Sequence, residues 1–193
     1  MKIIFATNNK NKVEEIKHLS HQKFQIFTLQ EVGIDIDIPE PHDTLEANAT
    51  EKSSTIYKLT NEAVFSEDTG LEVHALGGAP GVKSARYAGE GRNMQDNIDK
   101  LLAELKDKPS RTAQFRTVVS LIIDGKEYQF EGICKGHITH EMDGSNGFGY
   151  DPVFIPEGSN TTFANMDIAE KNKFSHRKKA VQKLIDFLNA YQA

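Results

Sequence analysis

Residues 112–139, TAQFRTVVSLIIDGKEYQFEGICKGHIT, decide the fold class of this chain more than any other stretch. Two long strand patterns, Thr112–Ile123 and Lys126–Thr139, are separated by Asp124-Gly125 alone. A two-residue Asp-Gly connection between such runs is a strong signal for a β-hairpin. The sequence therefore predicts a long antiparallel hairpin within a larger sheet.

Helical patterns alternate with further strand patterns on both sides of this hairpin. Met94–Leu105, for example, places Ile98, Leu101, Leu102 and Leu105 at helical spacing. The other predicted helices are Lys12–Ser20, Thr44–Leu59 with Thr44 as N-cap, and Ser175–Tyr191, and the other predicted strands are Lys2–Ala6, Phe24–Leu29, Ile34–Ile38 and Ala63–Ser66. Crossovers and hairpins together indicate an α/β fold with a mixed sheet, rather than a pure Rossmann fold or a barrel.

Composition narrows the possible functions. A chain of 193 residues suits a single domain over residues 1–193, and we expect no membrane span because no long apolar run is present. The net charge of −5 disfavours broad binding to nucleic acid. The single cysteine, Cys134, excludes an internal disulfide, and the N-terminus has no secretory pattern, so a cytoplasmic location is expected.

The polar loop Thr7-Asn8-Asn9-Lys10-Asn11-Lys12 lies where the first strand passes into the first helix. Backbone N–H groups at a helix N-terminus favour an anion, and Lys12 adds a positive charge. The loop is not a Walker motif, because GxxxxGK[ST] is absent. By itself it fits either an anion-binding loop or a capped polar turn.

Two acidic positions follow strand patterns. Glu40 comes after Pro39, and Asp68 lies beyond the predicted strand Ala63–Ser66, on an expected turn that also carries Glu67 and Thr69. Mg²⁺ binds carboxylate oxygens, and one or two carboxylates suffice when substrate phosphates supply the rest. Two adjacent carboxylates also repel each other, which can raise one pKa into the range of a general base.

Two later segments are candidates for binding an aromatic ligand. Phe148-Gly149-Tyr150-Asp151 lies in a glycine-rich run, where a ring can stack on a base. Lys171, His176 and Arg177 flank the start of the last predicted helix. Taken alone, such residues more commonly form a packed loop and a solvated helix start.

Together these segments resemble the inosine triphosphate pyrophosphatase family, also called Ham1-like, over nearly the whole chain. Thr7, Asn9 and Lys12 fit its S/T-x-N-x-x-K pattern, and the spacing of Glu40 and Lys52 is similar. The resemblance implies an elongated mixed β-sheet flanked by helices, with two lobes and a central active-site cleft. It also implies Mg²⁺-dependent hydrolysis of ITP, dITP and XTP to the monophosphate and pyrophosphate, by a homodimer.

The resemblance assigns roles to individual residues. It implies that the loop 7–12 and Lys52 bind the triphosphate, and that Glu40 and Asp68 hold the metal. The remaining substrate-binding residues that it implies are Thr69, Phe148, Gly149, Tyr150, Asp151, Lys171, His176 and Arg177. Arg86, in SARYAG, also matches the family pattern. The resemblance leaves open whether Arg86 contacts the base, a phosphate or a partner subunit.

Glu67-Asp68-Thr69-Gly70 departs from the Asp-Asp-Ser-Gly usual in bacterial members. Because glutamate is longer, Asp68 is the stronger candidate to activate the attacking water, with Glu67 as the second. Two alternatives stay open: a pyrophosphatase for other modified nucleotides, and a nucleotide sensor without turnover. The presence of both Glu40 and Asp68 argues against the sensor, which needs no group to activate water.

Overall fold

The computed structural model describes residues 1–17 and 24–191, which form an α/β fold. Its helices are α1 (Lys10–Lys17), α2 (Leu45–Thr60), α3 (Met94–Glu104), α4 (Ile168–Phe174) and α5 (His176–Ala190). Its strands are β1 (Lys2–Phe5), β2 (Gln25–Thr28), β3 (Val64–Val73), β4 (Pro80–Gly81), β5 (Thr112–Ile123), β6 (Lys126–Ile138) and β7 (Phe154–Pro156). No helix in these ranges has the length and apolarity that crossing a bilayer requires.

The seven described strands form one mixed sheet in the order β2-β1-β3-β5-β6-β7, with β4 paired to β3. β1 pairs in parallel with β2 and β3, whereas β4 and β7 pair antiparallel with β3 and β6. Asp124 and Gly125 both have positive φ, 50° and 72°, as the turn of a two-residue hairpin requires. The predicted hairpin and mixed sheet are confirmed.

The chain divides into two compact units. The first comprises residues 1–68, 117–132 and 177–193, and the second comprises residues 69–116 and 133–176. In the first unit, Phe5 stacks on Phe65 with ring centroids 4.5 Å apart, within a core shared by β1, β3, β5 and α5. In the second, Phe154 and Phe163 share a core with Ile98 and Leu101 of α3. The single domain and the cleft stay predictions.

Most predicted helices are confirmed with shifts of a few residues at their ends. Thr44 caps α2 by accepting a hydrogen bond from the N–H of Ala47 at 3.2 Å. The end of the predicted first helix, residues 18–20, lies outside the described residues. Sequence reasoning missed α4, which Asp167 caps through the N–H of Glu170.

Two strand predictions were wrong in ways that affect the site. Residues 34–38 alternate between partly buried and exposed, as predicted, but form no strand, because their apolar side chains pack beside α2 without a ladder partner. β3 continues to Val73 rather than ending at Ser66. Glu67 and Asp68 therefore lie inside a buried strand, not on a turn after one.

Candidate active site

The loop between β1 and α1 is shaped by its own side chains. Thr7 Oγ1 accepts the N–H of Asn9, and Asn9 Oδ1 accepts the N–H of Lys12, both at 3.2 Å. Asn8 donates its amide N–H to the carbonyl of Ile36 at 2.8 Å. Thr7 and Asn9 thus use their side-chain oxygens as acceptors within the turn, and their contact with a triphosphate stays a prediction.

Charged side chains from α1, β3 and α5 lie close together in the first unit. Lys12 Nζ lies 3.3 Å from Glu67 Oε1, and Arg177 Nε donates to the same oxygen at 2.8 Å. Arg177 Nη1 also pairs with Glu15 of α1. The side chain of Glu67 is 0% exposed and that of Arg177 is 2% exposed. Glu67 is therefore held by two cations in the interior of the unit.

Lys52 connects this arrangement to the other two acids. Its Nζ donates to Glu40 Oε1 at 2.6 Å and to Asp68 Oδ1 at 3.4 Å. α2 carries Lys52, β3 carries Asp68, and Glu40 precedes α2 in a proline-flanked loop. We call the whole set the buried charge cluster; its members are Lys12, Glu15, Glu40, Lys52, Glu67, Asp68 and Arg177.

Burial and neighbouring charges shift the pKa values in the cluster. Burial raises the pKa of Asp68, with Glu40 and Glu67 adding to the rise, and these effects outweigh the attraction of Lys52 and Lys12. Burial also lowers the pKa of Lys12, despite the attraction of Glu67. For Lys52, burial is outweighed by Asp68 and Glu40, so its pKa is raised. The four carboxylates of the cluster outnumber its three cations.

The donor set fits a hard cation. Glu40 and Asp68 both contact the ammonium group of Lys52, so their oxygens point at a position that already holds positive charge. Within residues 1–17 and 24–191, no group of three or more His, Cys, Asp or Glu side chains is arranged to hold a metal ion. Two carboxylates are nevertheless enough for Mg²⁺ when phosphate oxygens and water complete its shell.

A second set of predicted residues is arranged within the second unit. Asp151 Oδ2 accepts the N–H of Phe148 at 2.9 Å and pairs with Lys171 Nζ at 2.8 Å. Lys171 Nζ also lies 5.2 Å from the ring centre of Phe148. Gly147 has φ +79°, and a Cβ there would collide with the Asp151 carboxylate. The loop is thus locked around Asp151, which fixes Phe148.

Two predicted purine-binding residues are packed inside the second unit. Tyr150 is 4% exposed and donates its hydroxyl to the carbonyl of Ser84 at 2.8 Å, which ties its loop to the segment that carries Arg86. The ring of His176 stacks on Phe115 at 4.7 Å. Their roles in binding a purine stay predictions, as does that of Gly149, which has φ +63°.

The second unit also contains a polar cleft of about 600 Å³. Its charged and polar lining includes Glu72, His74, Gln114, Lys135, His137 and Glu157. None of the predicted site residues lines this cleft. It is a different place from both arrangements described above.

Comparison with known proteins agrees with this fold and these motifs. Residues 3–187 match the sequence pattern of the Ham1 family. The chain belongs to the Ham1 family. A Ham1 protein of Staphylococcus aureus has a solved structure that superimposes with a TM-score of 0.91 at 37% identity, covering 100% of both chains.

Curated proteins closely similar to this Ham1-family chain share one name, dITP/XTP pyrophosphatase. The protein of that name from Porphyromonas gingivalis is 52% identical over 188 residues, 97% of each chain. The one from Flavobacterium johnsoniae is 49% identical and covers 98% of this chain and 99% of its own. The resemblance inferred from sequence is confirmed.

Sequence reasoning about this Ham1-family chain missed Glu15, whose only signal was its position three residues after Lys12, on the same face of α1. It also missed that Arg177 pairs with acids 110 residues and more away along the chain. That contact depends on tertiary structure, and no local sequence pattern predicts it. Arg177 pairs with Glu67 and Glu15, and its predicted contact with the purine stays a prediction.

Proposed function

We propose that this Ham1-family chain is a Mg²⁺-dependent nucleoside triphosphate pyrophosphatase that hydrolyses ITP, dITP and XTP. Water attacks the α-phosphorus, and the products are the monophosphate and pyrophosphate. The buried charge cluster carries the proposal: in it, three cations and four carboxylates meet at the middle of β3. The names of the relatives support the substrate class. Removal of such nucleotides would cleanse the nucleotide pool.

Charge balance explains why a cluster rich in carboxylates would need a metal to bind a polyphosphate. With all groups ionised, the four acids exceed the three bases by one negative charge, and a triphosphate adds several more. Mg²⁺, when bound by Glu40 and Asp68, would neutralise part of this charge and polarise the phosphate oxygens. Lys12 and Lys52 would bind the triphosphate, because Lys52 is released when Glu40 and Asp68 take another cation.

Asp68 is the better candidate for activating water. Glu67 is fully buried and engaged by Lys12 and Arg177, so it is poorly placed to accept a proton from solvent. Asp68 has a raised pKa because burial disfavours its charge. That pKa belongs to the metal-free protein, because bound Mg²⁺ would lower it. The role of Asp68 as proton acceptor rests on its position beside the proposed metal site. We therefore propose that Asp68 accepts the proton and that Glu67 positions Lys12.

The second unit would recognise the nucleoside. Phe148 would stack on the purine, with Lys171 as a further substrate contact, while His176 would supply a donor to the 6-oxo group. Hypoxanthine and xanthine present an acceptor at that position, whereas adenine presents an amino donor. A donor facing a donor leaves a buried polar group without a partner, which discriminates strongly. The resemblance further supports a cytoplasmic homodimer, which sedimentation velocity would test.

The test of this function is a panel of ITP, dITP, XTP, GTP, ATP and methylated and pyrimidine nucleotides, incubated with purified protein and Mg²⁺ while pyrophosphate is measured. We expect release from ITP, dITP and XTP far above that from ATP. Release from other modified nucleotides alone would favour the alternative pyrophosphatase. Binding without release from any nucleotide would favour the sensor.

Variants of the two acids link turnover to the cluster. Glu40→Gln and Asp68→Asn are expected to lower kcat at least about a hundredfold, because each removes a metal ligand or the proton acceptor. Asp43→Asn is the matched control, because Asp43 is exposed in the same loop as Glu40 and lies outside the cluster. Near-normal turnover in both cluster variants would contradict the site assignment.

A further inference from the structure

The loop that carries Glu40 is held from α2 by a buried asparagine. Asn48 is 1% exposed, and its side-chain amide makes two hydrogen bonds with the backbone of one residue. Asn48 Oδ1 accepts the N–H of His42 at 3.0 Å, and Asn48 Nδ2 donates to the carbonyl of His42 at 3.2 Å. The pair fixes both the position and the orientation of the peptide backbone at His42.

Fixing the backbone at His42 also limits the position of Glu40, because the backbone between the two residues is stiff. Glu40 lies between Pro39 and Pro41. Proline restricts its own φ, and a residue that precedes proline is restricted to extended conformations. Few backbone rotations therefore separate His42 from Glu40, so the hydrogen bonds at His42 also limit where the Glu40 carboxylate can lie.

α2 contacts this loop at two places on one face. Asn48 and Lys52 are four residues apart and so point in the same direction from the helix. Asn48 holds the backbone, while Lys52 Nζ holds the Glu40 carboxylate at 2.6 Å. The carboxylate contact is lost whenever Lys52 gives up Glu40 to another cation. The backbone contact at Asn48 does not depend on that exchange.

We propose that Asn48 is a positioning residue for divalent-cation binding, which keeps the Glu40 loop in place when a metal ion replaces the ammonium group of Lys52. The proposal rests on the function proposed above, in which Glu40 and Asp68 hold Mg²⁺. Asn48 touches neither metal nor substrate. It acts through the Glu40 loop: because the loop is already ordered, metal binding does not carry the entropic cost of ordering the loop.

The second unit provides a matched control. Asn97 of α3 is 5% exposed and clamps a different loop in the same way: its Oδ1 accepts the N–H of Ala88 at 2.7 Å, and its Nδ2 donates to the carbonyl of Ala85 at 3.1 Å. Asn97→Ala therefore removes the same side chain, with the same number of hydrogen bonds, from a loop that carries Arg86 instead of Glu40.

The experiment compares wild type, Asn48→Ala and Asn97→Ala by two readouts that need no turnover. Hydrogen–deuterium exchange of the metal-free proteins is expected to accelerate over residues 39–44 in Asn48→Ala alone. Titration with Mn²⁺, followed by electron paramagnetic resonance, is expected to show a Kd raised about 10- to 100-fold in Asn48→Ala and unchanged in Asn97→Ala, as for groups that orient metal ligands.

Hydrolysis of dITP provides the third readout. The Mg²⁺ concentration for half-maximal rate is expected to rise by a similar factor in Asn48→Ala, while kcat at saturating Mg²⁺ stays close to that of wild type. A purely structural defect would lower kcat at every Mg²⁺ concentration, and that result would overturn the proposal.

The proposal is also overturned if exchange over residues 39–44 is unchanged, or if both alanine variants weaken Mn²⁺ equally. If Asn48→Ala does not fold, Asn48→Asp, which keeps the acceptor for the His42 N–H and loses the donor to the His42 carbonyl, is tested by exchange, and a smaller acceleration over residues 39–44 is expected. Failure of wild type to release pyrophosphate from any nucleotide would refute the proposed function, whereas the Mn²⁺ titration would still decide the role of Asn48.

Discussion

Replacing Arg177 by methionine should destabilise the protein by about 3 kcal/mol, the lower end of the 3–5 kcal/mol typical when one partner of a buried ion pair is removed. The variant removes a cation that donates to the carboxylate of Glu67, a side chain that is 0% exposed, and leaves Lys12 at 3.3 Å from the same oxygen. Glu15 also loses its contact with Arg177. Because Glu15 is partly exposed, this loss costs less free energy of unfolding than the loss at Glu67. The raised pKa of Arg177, which Glu67 and Glu15 cause against the effect of burial, agrees with this direction.

Equilibrium urea unfolding of Arg177→Met, Glu67→Gln and the double variant would measure the coupling. Adding Glu67→Gln to Arg177→Met should restore at least about 1 kcal/mol, because it removes the buried carboxylate that lost its partner. Arg116→Met is the control, since its bond to Glu72 at 3.0 Å is partly exposed and should contribute about 1 kcal/mol or less. Wild-type stability of Arg177→Met together with an altered preference between purines would refute this reasoning and support the predicted contact of Arg177 with the purine.

Three further predictions concern the cluster and the purine. In metal-free protein, Asp68→Asn should have no advantage in stability below about pH 4, and an advantage that grows as pH rises through the raised pKa of Asp68, because wild type loses stability there; thermal unfolding with an offset independent of pH would contradict this. Lys12→Ala and Lys52→Ala should weaken the binding of all triphosphates alike, so a changed ITP-to-GTP preference at unchanged affinity would exclude the phosphate role. His176→Ala should lower the ratio of kcat/KM for ITP over ATP, and an unchanged ratio would place selectivity elsewhere.

Local sequence signals predicted the elements whose formation depends on local interactions. The hairpin followed from Asp124-Gly125, where positive φ at both positions is cheap for these residue types, and α2 followed from its Thr44 cap. The family motifs predicted which charged residues matter. These signals involve residues within a few positions of one another.

Tertiary interactions decided the rest. Residues 34–38 alternate as a strand does, but pairing depends on a neighbour that the pattern cannot supply. The sequence predicted a turn at Glu67 and Asp68, because two adjacent acids are rare inside a buried strand. Lys12, Lys52 and Arg177 offset their charge there. Such compensation comes from distant parts of the chain, so no window of sequence reveals it.

The order in which the chain is synthesised determines when the buried charge cluster can form. The first unit draws on three separate segments, and Glu67 is translated 110 residues before Arg177. At the usual pace of translation, this leaves roughly 5 to 20 s in which the strand that carries both acids exists without one of its cations. The nascent chain therefore cannot complete its charge cluster until the start of α5 has left the ribosome, and a chaperone has those seconds in which to bind it.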